Sequence, residues 1–196
     1  DDPDHARHAV DAARAMLAET ERLKPELAAL GYPEVNIGIG LNTGEMNVGN
    51  MGSEYRRAYT VLGDAVNLGS RLEGLTKFYG VSLIIGETTR AAQPDLVCRP
   101  LDRVLVKGRH EPVTLYEPVG REQEVDATTL ERLARLEHAL EAYWARDWET
   151  ARTTFEALAA TEPERYLYRL YLERMAAVDP AELPADWDGV FRHTSK

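Results

Sequence analysis

Apolar residues recur at two spacings along this chain, and the changes between them mark its elements. Ala6, Ala9, Val10, Ala13 and Leu17 fall on one helical face, introduced by Asp2-Pro3, which reads as a cap followed by proline at the first helical position. The pattern resumes at Leu23, Leu27 and Leu30 beyond a kink expected at Pro25, and Gly31 marks the stop. The period then shortens to two. In "VNIGIGL", Val35, Ile37, Ile39 and Leu41 face one way, and Gly38 and Gly40 the other. Glycines along one face of a strand let another backbone or a ligand come close.

The turn-rich "NTGEMNVGNMGSEYRR" predicts a protruding arm or hairpin, and residues 57–62 a strand leading out of it. Asp64 is expected to cap a helix running to about Tyr79, with Leu68, Leu72, Leu75 and Tyr79 forming its core-facing stripe. "VSLIIG" reads as a short buried strand and "TTRAAQ" as a helical turn. "RPLDRVLVKG" and "VTLYEPV" read as a hairpin around "KGRHEP". Helices and strands mix without regular alternation into parallel units, which points to the α+β class.

From about Thr128 the pattern becomes that of charged helices. Ala139, Trp148, Ala151, Phe155 and Pro163 fall where a tetratricopeptide repeat of about 34 residues places its small, aromatic and proline positions. A single such unit cannot bury its own face, so it should dock on something, and a helical hairpin packed on the first domain is favoured over a peptide-binding groove. The expected division is residues 1–120 as one domain, 121–127 as linker and 128–196 as a helical, tetratricopeptide-like tail.

Composition narrows the classes. A 44% hydrophobic content over 196 residues supports a packed core. A net charge of −10 makes nucleic acid a poor partner for the chain as a whole. The lone Cys98 excludes an intrachain disulfide framework and fits a reducing compartment. No apolar run approaches the roughly 20 residues that span a bilayer, and "DDPDHARHAV" is no signal peptide, so a cytoplasmic location is expected.

Candidate chemistry gathers in "TVLGDAVNLGSRLE". Asn67 and Arg71, four residues apart, meet on the flank of the helix beside its apolar stripe, near an N-terminal end that favours anions. On spacing alone, the plainer reading has Arg71 paired with Glu73 or Glu87 and Asn67 serving the cap. Other motifs fall away. "GEMNVGNMG" lacks the Lys-Ser/Thr ending of a Walker A loop, and "GIGLNTG" misses the third dinucleotide-fold glycine. His5 and His8 have no third ligand beside them, and Cys98 has no evident base.

The ordered string "VGNMGSEYRRAYTVLGDAVNLGSRLE", continuing through "VSLIIGETT" and "LVKGRHEPVTLYEP", resembles the C-terminal half of a class III nucleotide cyclase catalytic domain. The likeness covers roughly residues 1–120 and implies part of a ferredoxin-like α+β domain. The tail ending in "WDGVFRHTSK" resembles the extension on bacterial adenylate cyclases with an N-terminal CHASE2 sensor and membrane helices, which implies a membrane-anchored parent protein. The resemblance implies that Asn67 and Arg71 stabilise the transition state as the ribose 3′-hydroxyl attacks the α-phosphate. It implies that Lys107 binds the terminal phosphates and that Thr60 reads the purine. Thr at that position fits an adenylate cyclase acting on ATP better than a guanylate cyclase. Without the family match, Lys107 reads as a solvated turn lysine, and Arg56 and Arg57 as either phosphate-proximal charge or an exposed arm.

Family members bind two divalent metals, Mg²⁺ or Mn²⁺, through two aspartates that precede the helix beginning near Asp2, together with a purine-reading lysine. Those segments are not in this sequence, so the metal ligands are expected outside it. Asp1, Asp2 and Asp4 sit at a helix start and are no substitutes, and Asp64 is better explained as a cap. Because the family's site forms between two catalytic domains, the expectation is a homodimeric adenylate cyclase of which this chain supplies the Asn-Arg face, inactive alone. The rival is a cyclase-like scaffold that has lost catalysis and whose tail recruits a partner. Retention of Asn67, Arg71 and Lys107 together argues against it.

Overall fold

The computed structural model describes residues 2–53, 56–106 and 111–193 of a mixed α+β chain. It divides into two compact units, Asp1–Pro94 and Asp95–Lys196.

In the first unit, helix α1 (His5–Ala29) buries Ala6, Val10 and Ala13, as its periodicity predicts. It begins at His5 rather than at Pro3. The Asp2 carboxylate accepts from the Asp4 backbone N–H at 2.9 Å and meets His8 Nδ1 at 2.8 Å, organising the turn ahead of the helix. The helix continues through Pro25 to Ala29.

Strand β1 (Ile39–Leu41) is shorter than the alternating stretch that contains it. It pairs in parallel with β4 (Leu83–Gly86), in register Ile39↔Leu83. Its glycine face is filled by helix α2 (Asp64–Tyr79). A Cβ on Gly38 would strike the Thr76 side chain, and one on Gly40 would strike the α2 backbone at Gly69 and Glu73, with Glu73 Cα at 2.9 Å. The close approach expected there is therefore made by a helix backbone.

Helix α2 buries Leu68, Leu72, Thr76 and Tyr79, so Thr76 joins the expected stripe while Leu75 is half-buried. The chain is extended through Leu62 and turns at Gly63, which is the N-cap. Asp64 is thus the first helical residue rather than the cap, where its carboxylate still complements the helix dipole. Strands β2 (Asn47–Ser53) and β3 (Arg56–Leu62) form the expected hairpin, antiparallel from Asn47↔Leu62 to Ser53↔Arg56. A short helix α3 (Glu87–Ala91) follows β4. Buried Gln93 donates to Ala6 O and Thr89 O, both at 3.1 Å, tying the end of this unit to α1.

In the second unit, β5 (Leu96–Leu105) and β6 (Val113–Arg121) pair antiparallel, and β7 (Phe191–Arg192) adds in parallel to the end of β5, with Val104↔Phe191. Between β6 and β7 come α4 (Ala127–Trp144), α5 (Trp148–Thr161) and α6 (Tyr166–Ala176). Asp126 and Asp147 cap α4 and α5 by accepting from the N–H of Thr129 at 2.7 Å and Thr150 at 3.2 Å. Ala139, Ala151 and Phe155 are fully buried, and Phe155 stacks on Tyr171 of α6 with ring centroids 4.8 Å apart.

The β5 ladder shifts register between Pro100 and Asp102, where proline has no N–H to give. Around the irregularity every residue from Cys98 to Asp102 is buried, Leu101 and Asp102 completely. Asp102 is completely buried and accepts from Tyr171 OH at 3.0 Å, Arg174 Nη1 at 2.7 Å and the Arg103 N–H at 2.7 Å. A second ionic cluster joins Arg99 and Arg165 to Glu117, and Arg132 and Tyr168 to Glu162. Cys98 is a free, buried thiol.

Candidate active site

Asn67 and Arg71 stand on the first half of α2, one turn apart, beside the Leu68–Leu72 stripe that anchors the helix. The stripe fixes their direction: with Leu68 and Leu72 buried, positions 67 and 71 flank the core and share one edge of the helix. Asn67 is exposed and Arg71 half-buried.

The Nη1 atom of Arg71 is buried and has no hydrogen-bond partner. The plainer expectation, an ion pair with Glu73 or Glu87, therefore does not account for this nitrogen. A buried guanidinium N–H left without an acceptor costs roughly 1–3 kcal/mol. Nε of Arg99 and Nε of Arg165 are in the same position, but each of those guanidiniums also meets Glu117.

Thr60 lies in β3 opposite Gly49 of β2, exposed, three residues before the Gly63 turn that starts α2. Lys107, Arg109 and His110 lie outside the described residues. The side chains of Arg56 and Arg57 are likewise outside what is described.

The donor set of Asn67, Thr60 and Arg71 is an amide, a hydroxyl and a guanidinium, the amide and guanidinium on this edge of α2 and the hydroxyl on β3. It suits a phosphate ester and a base, and without a carboxylate pair it does not suit a divalent cation. Among the described residues, no group of three or more His, Cys, Asp or Glu side chains could hold a metal ion.

Residues 1–117 match the family model of the adenylate and guanylate cyclase catalytic domain. The chain belongs to this family. Its members are generally metal-dependent nucleotide cyclases, and residues 1–117 belong to a class III cyclase catalytic domain. Adenylate cyclase 1 of Rhizobium meliloti is 40% identical over 126 residues, covering 62% of this chain and 19% of that protein. The terminal-differentiation specific adenylate cyclase of Dictyostelium discoideum is 30% identical over 174 residues, 86% of this chain and 8% of that one. The chain thus spans less than a fifth of the length of either relative. Among solved structures, the adenylyl cyclase CyaB from P. aeruginosa superposes with a TM-score of 0.55 at 32% identity, over 63% of each chain. The guanylyl cyclase Cya2 does so with a TM-score of 0.54 at 31% identity, over 61% of this chain and 60% of that one. No helix among the described residues is long and apolar enough to cross a membrane.

Proposed function

We propose that this chain supplies one face of an adenylate cyclase active site, converting ATP to cAMP and pyrophosphate between two copies of the catalytic domain. The observation that carries the reading is the unpartnered Nη1 of Arg71, held in place beside the exposed amide of Asn67. In the reaction the O3′–Pα bond forms as the bond from Pα to the bridging oxygen breaks, and the 3′-hydroxyl gives up its proton. Negative charge shifts among the α-phosphate oxygens while pyrophosphate departs. A guanidinium fixed in advance contributes most where such charge develops, because it needs no reorganisation at that moment. Arg71 takes this role, and the Asn67 amide orients the ribose.

Thr60 accepts from the adenine amino group, and Lys107 binds the terminal phosphates. The metal is Mg²⁺ or Mn²⁺, on ligands outside residues 1–196. The location is cytoplasmic, with the parent protein anchored to a membrane. The partner copy is favoured by the β2–β3 hairpin, which holds Val48, Tyr59 and Leu62 at 54%, 74% and 56% exposure. Val48 and Tyr59 share one face of the hairpin and Leu62 lies on the other, and exposed apolar side chains on such a face favour cover by another protein.

The test is cAMP formation from ATP with Mn²⁺ by the intact protein and its Arg71→Ala variant. Loss of one such donor is expected to lower kcat by about 10²–10³-fold with KM little changed. An unchanged kcat with a raised KM would reduce Arg71 to ordinary substrate binding, and no activity in the intact protein would favour the scaffold. The 196-residue chain alone is expected to form no cAMP, so robust turnover by it would overturn the expectation that it is inactive without metal ligands from outside it.

A further inference from the structure

Helix α2 carries Asn67 and Arg71, so whatever fixes its first turn fixes them. That turn is bracketed by the three residues directly after β1. Asn42 Nδ2 donates to Ala65 O at 3.1 Å. Gly44 lies so close that a Cβ on it would stand 2.7 Å from the Ala65 Cβ. Thr43, between them, bonds Oγ1 to Oγ1 with Thr89 of α3 at 3.0 Å. The Asn42 side chain is itself confined, since a Cβ at Gly86 on the end of β4 would approach its Oδ1 to 2.5 Å. The half-buried amide is therefore wedged between the sheet and the helix with its donor aimed at one carbonyl.

We infer that Asn42 is a positioning residue for the reaction, locking the first turn of α2 so that Asn67 meets the ribose and Arg71 the phosphate in register. The inference rests on the reading of α2 as the catalytic helix. Ala65 is two residues before Asn67 and six before Arg71, so a shift of this turn passes directly into both side chains. Asn42 reaches no reacting atom in this scheme. It acts through the helix, and its removal should fall on the chemical step rather than on nucleotide affinity.

The experiment uses the intact enzyme with Asn42→Ala, with Asn42→Asp, and with Asn42→Ala combined with Arg71→Ala. Asn42→Asp keeps the size but turns an acceptor toward the Ala65 carbonyl. Both single variants should lower kcat by about tenfold or more, because small misplacements of catalytic groups weigh heavily, while KM for ATP stays within about twofold. The double variant should lose clearly less than the product of the two separate losses, as expected of residues acting through one element. Wild-type kcat in Asn42→Ala with only a lowered melting temperature would overturn the inference, and so would fully multiplicative losses. A full-rate Arg71→Ala enzyme would fail the underlying site reading first and the inference with it, which separates the two failures.

Discussion

The contact between Asp102 and α6 gives the sharpest stability prediction. Asp102 is 0% exposed and the Arg174 side chain 10%, and they meet at 2.7 Å. Two charges taken out of water are tolerated only while each answers the other. Truncating one leaves the other buried and uncompensated, at a cost of about 3–5 kcal/mol. Asp102→Ala also removes an acceptor of the Tyr171 hydroxyl, which keeps Leu101 O at 3.0 Å as its second. We therefore expect about 4 kcal/mol, toward the middle of that range.

With a urea dependence of about 2 kcal/mol per molar, that is a drop of about 2 M in the midpoint of the transition. The assay is urea unfolding of the 196-residue chain, followed by the fluorescence of the three tryptophans, all of which lie in the second unit. The pair should also be replaceable as a pair. Arg174 lies over the Phe191 ring at 4.0 Å and the Tyr171 ring at 5.2 Å, packing that a methionine can largely reproduce. Asp102→Leu with Arg174→Met should recover most of the loss of either truncation. A loss below about 1 kcal/mol in Asp102→Ala, or a double variant no better than the sum of single truncations, would refute the reasoning.

Gly40→Ala drives a Cβ into the α2 backbone at Gly69 and Glu73, which cannot rotate away. It should cost at least about 1–3 kcal/mol by urea unfolding and lower cyclase kcat in the intact enzyme. Substitutions at Thr60, exposed in β3, should change the ATP/GTP ratio of kcat/KM more than the maximal rate, and an unchanged ratio removes Thr60 from base reading. Acid should destabilise the second unit. Burial would raise the Glu162 carboxyl, but the Tyr168 hydroxyl and the Arg99, Arg165 and Arg132 guanidiniums hold it below the ordinary glutamate range, while burial holds the His193 imidazole below its usual value. For both groups the unfolded chain takes up protons that the folded one resists. Their contribution is present above the ordinary values and is lost as pH falls. The urea midpoint should drop below about pH 7, and Glu162→Gln should flatten the more acidic part of that curve.

The periodic signals were legible where each residue's environment is set by its neighbours in sequence. The α2 stripe, the arm that became β2–β3 and the burial of β4 follow from spacing alone. The glycine face of β1 could be read as a site of close approach, but whether a backbone or a ligand came close depended on where α2 lay. The role of Asn42 was invisible for the same reason, since nothing in the sequence links position 42 to the carbonyl of residue 65. Asp102 was harder still. Nothing in the spacing of "RPLDRVLVKG" marks it as buried, because the strand is covered on both faces from Cys98 to Asp102. Its partners Tyr171 and Arg174 come from a helix about seventy residues away.

Arg71 differs from four of the other covered arginines of this chain. Arg99, Arg121, Arg165 and Arg174 each place a guanidinium nitrogen on a carboxylate of their own unit. This chain therefore does not leave its buried arginines uncompensated by default, and where one is half-covered it usually supplies the counter-charge. A covered nitrogen without an acceptor is not peculiar to Arg71, since Nε of Arg99 and Nε of Arg165 share that condition. Arg71 differs from those two in that its guanidinium meets no carboxylate among the described residues. An arginine kept for structure would gain stability from an adjacent glutamate, and Glu73 stands two residues away without meeting that need. On the proposed reading of α2, the acceptor for this nitrogen is a phosphate oxygen of the bound nucleotide, and the Arg71→Ala assay tests that assignment.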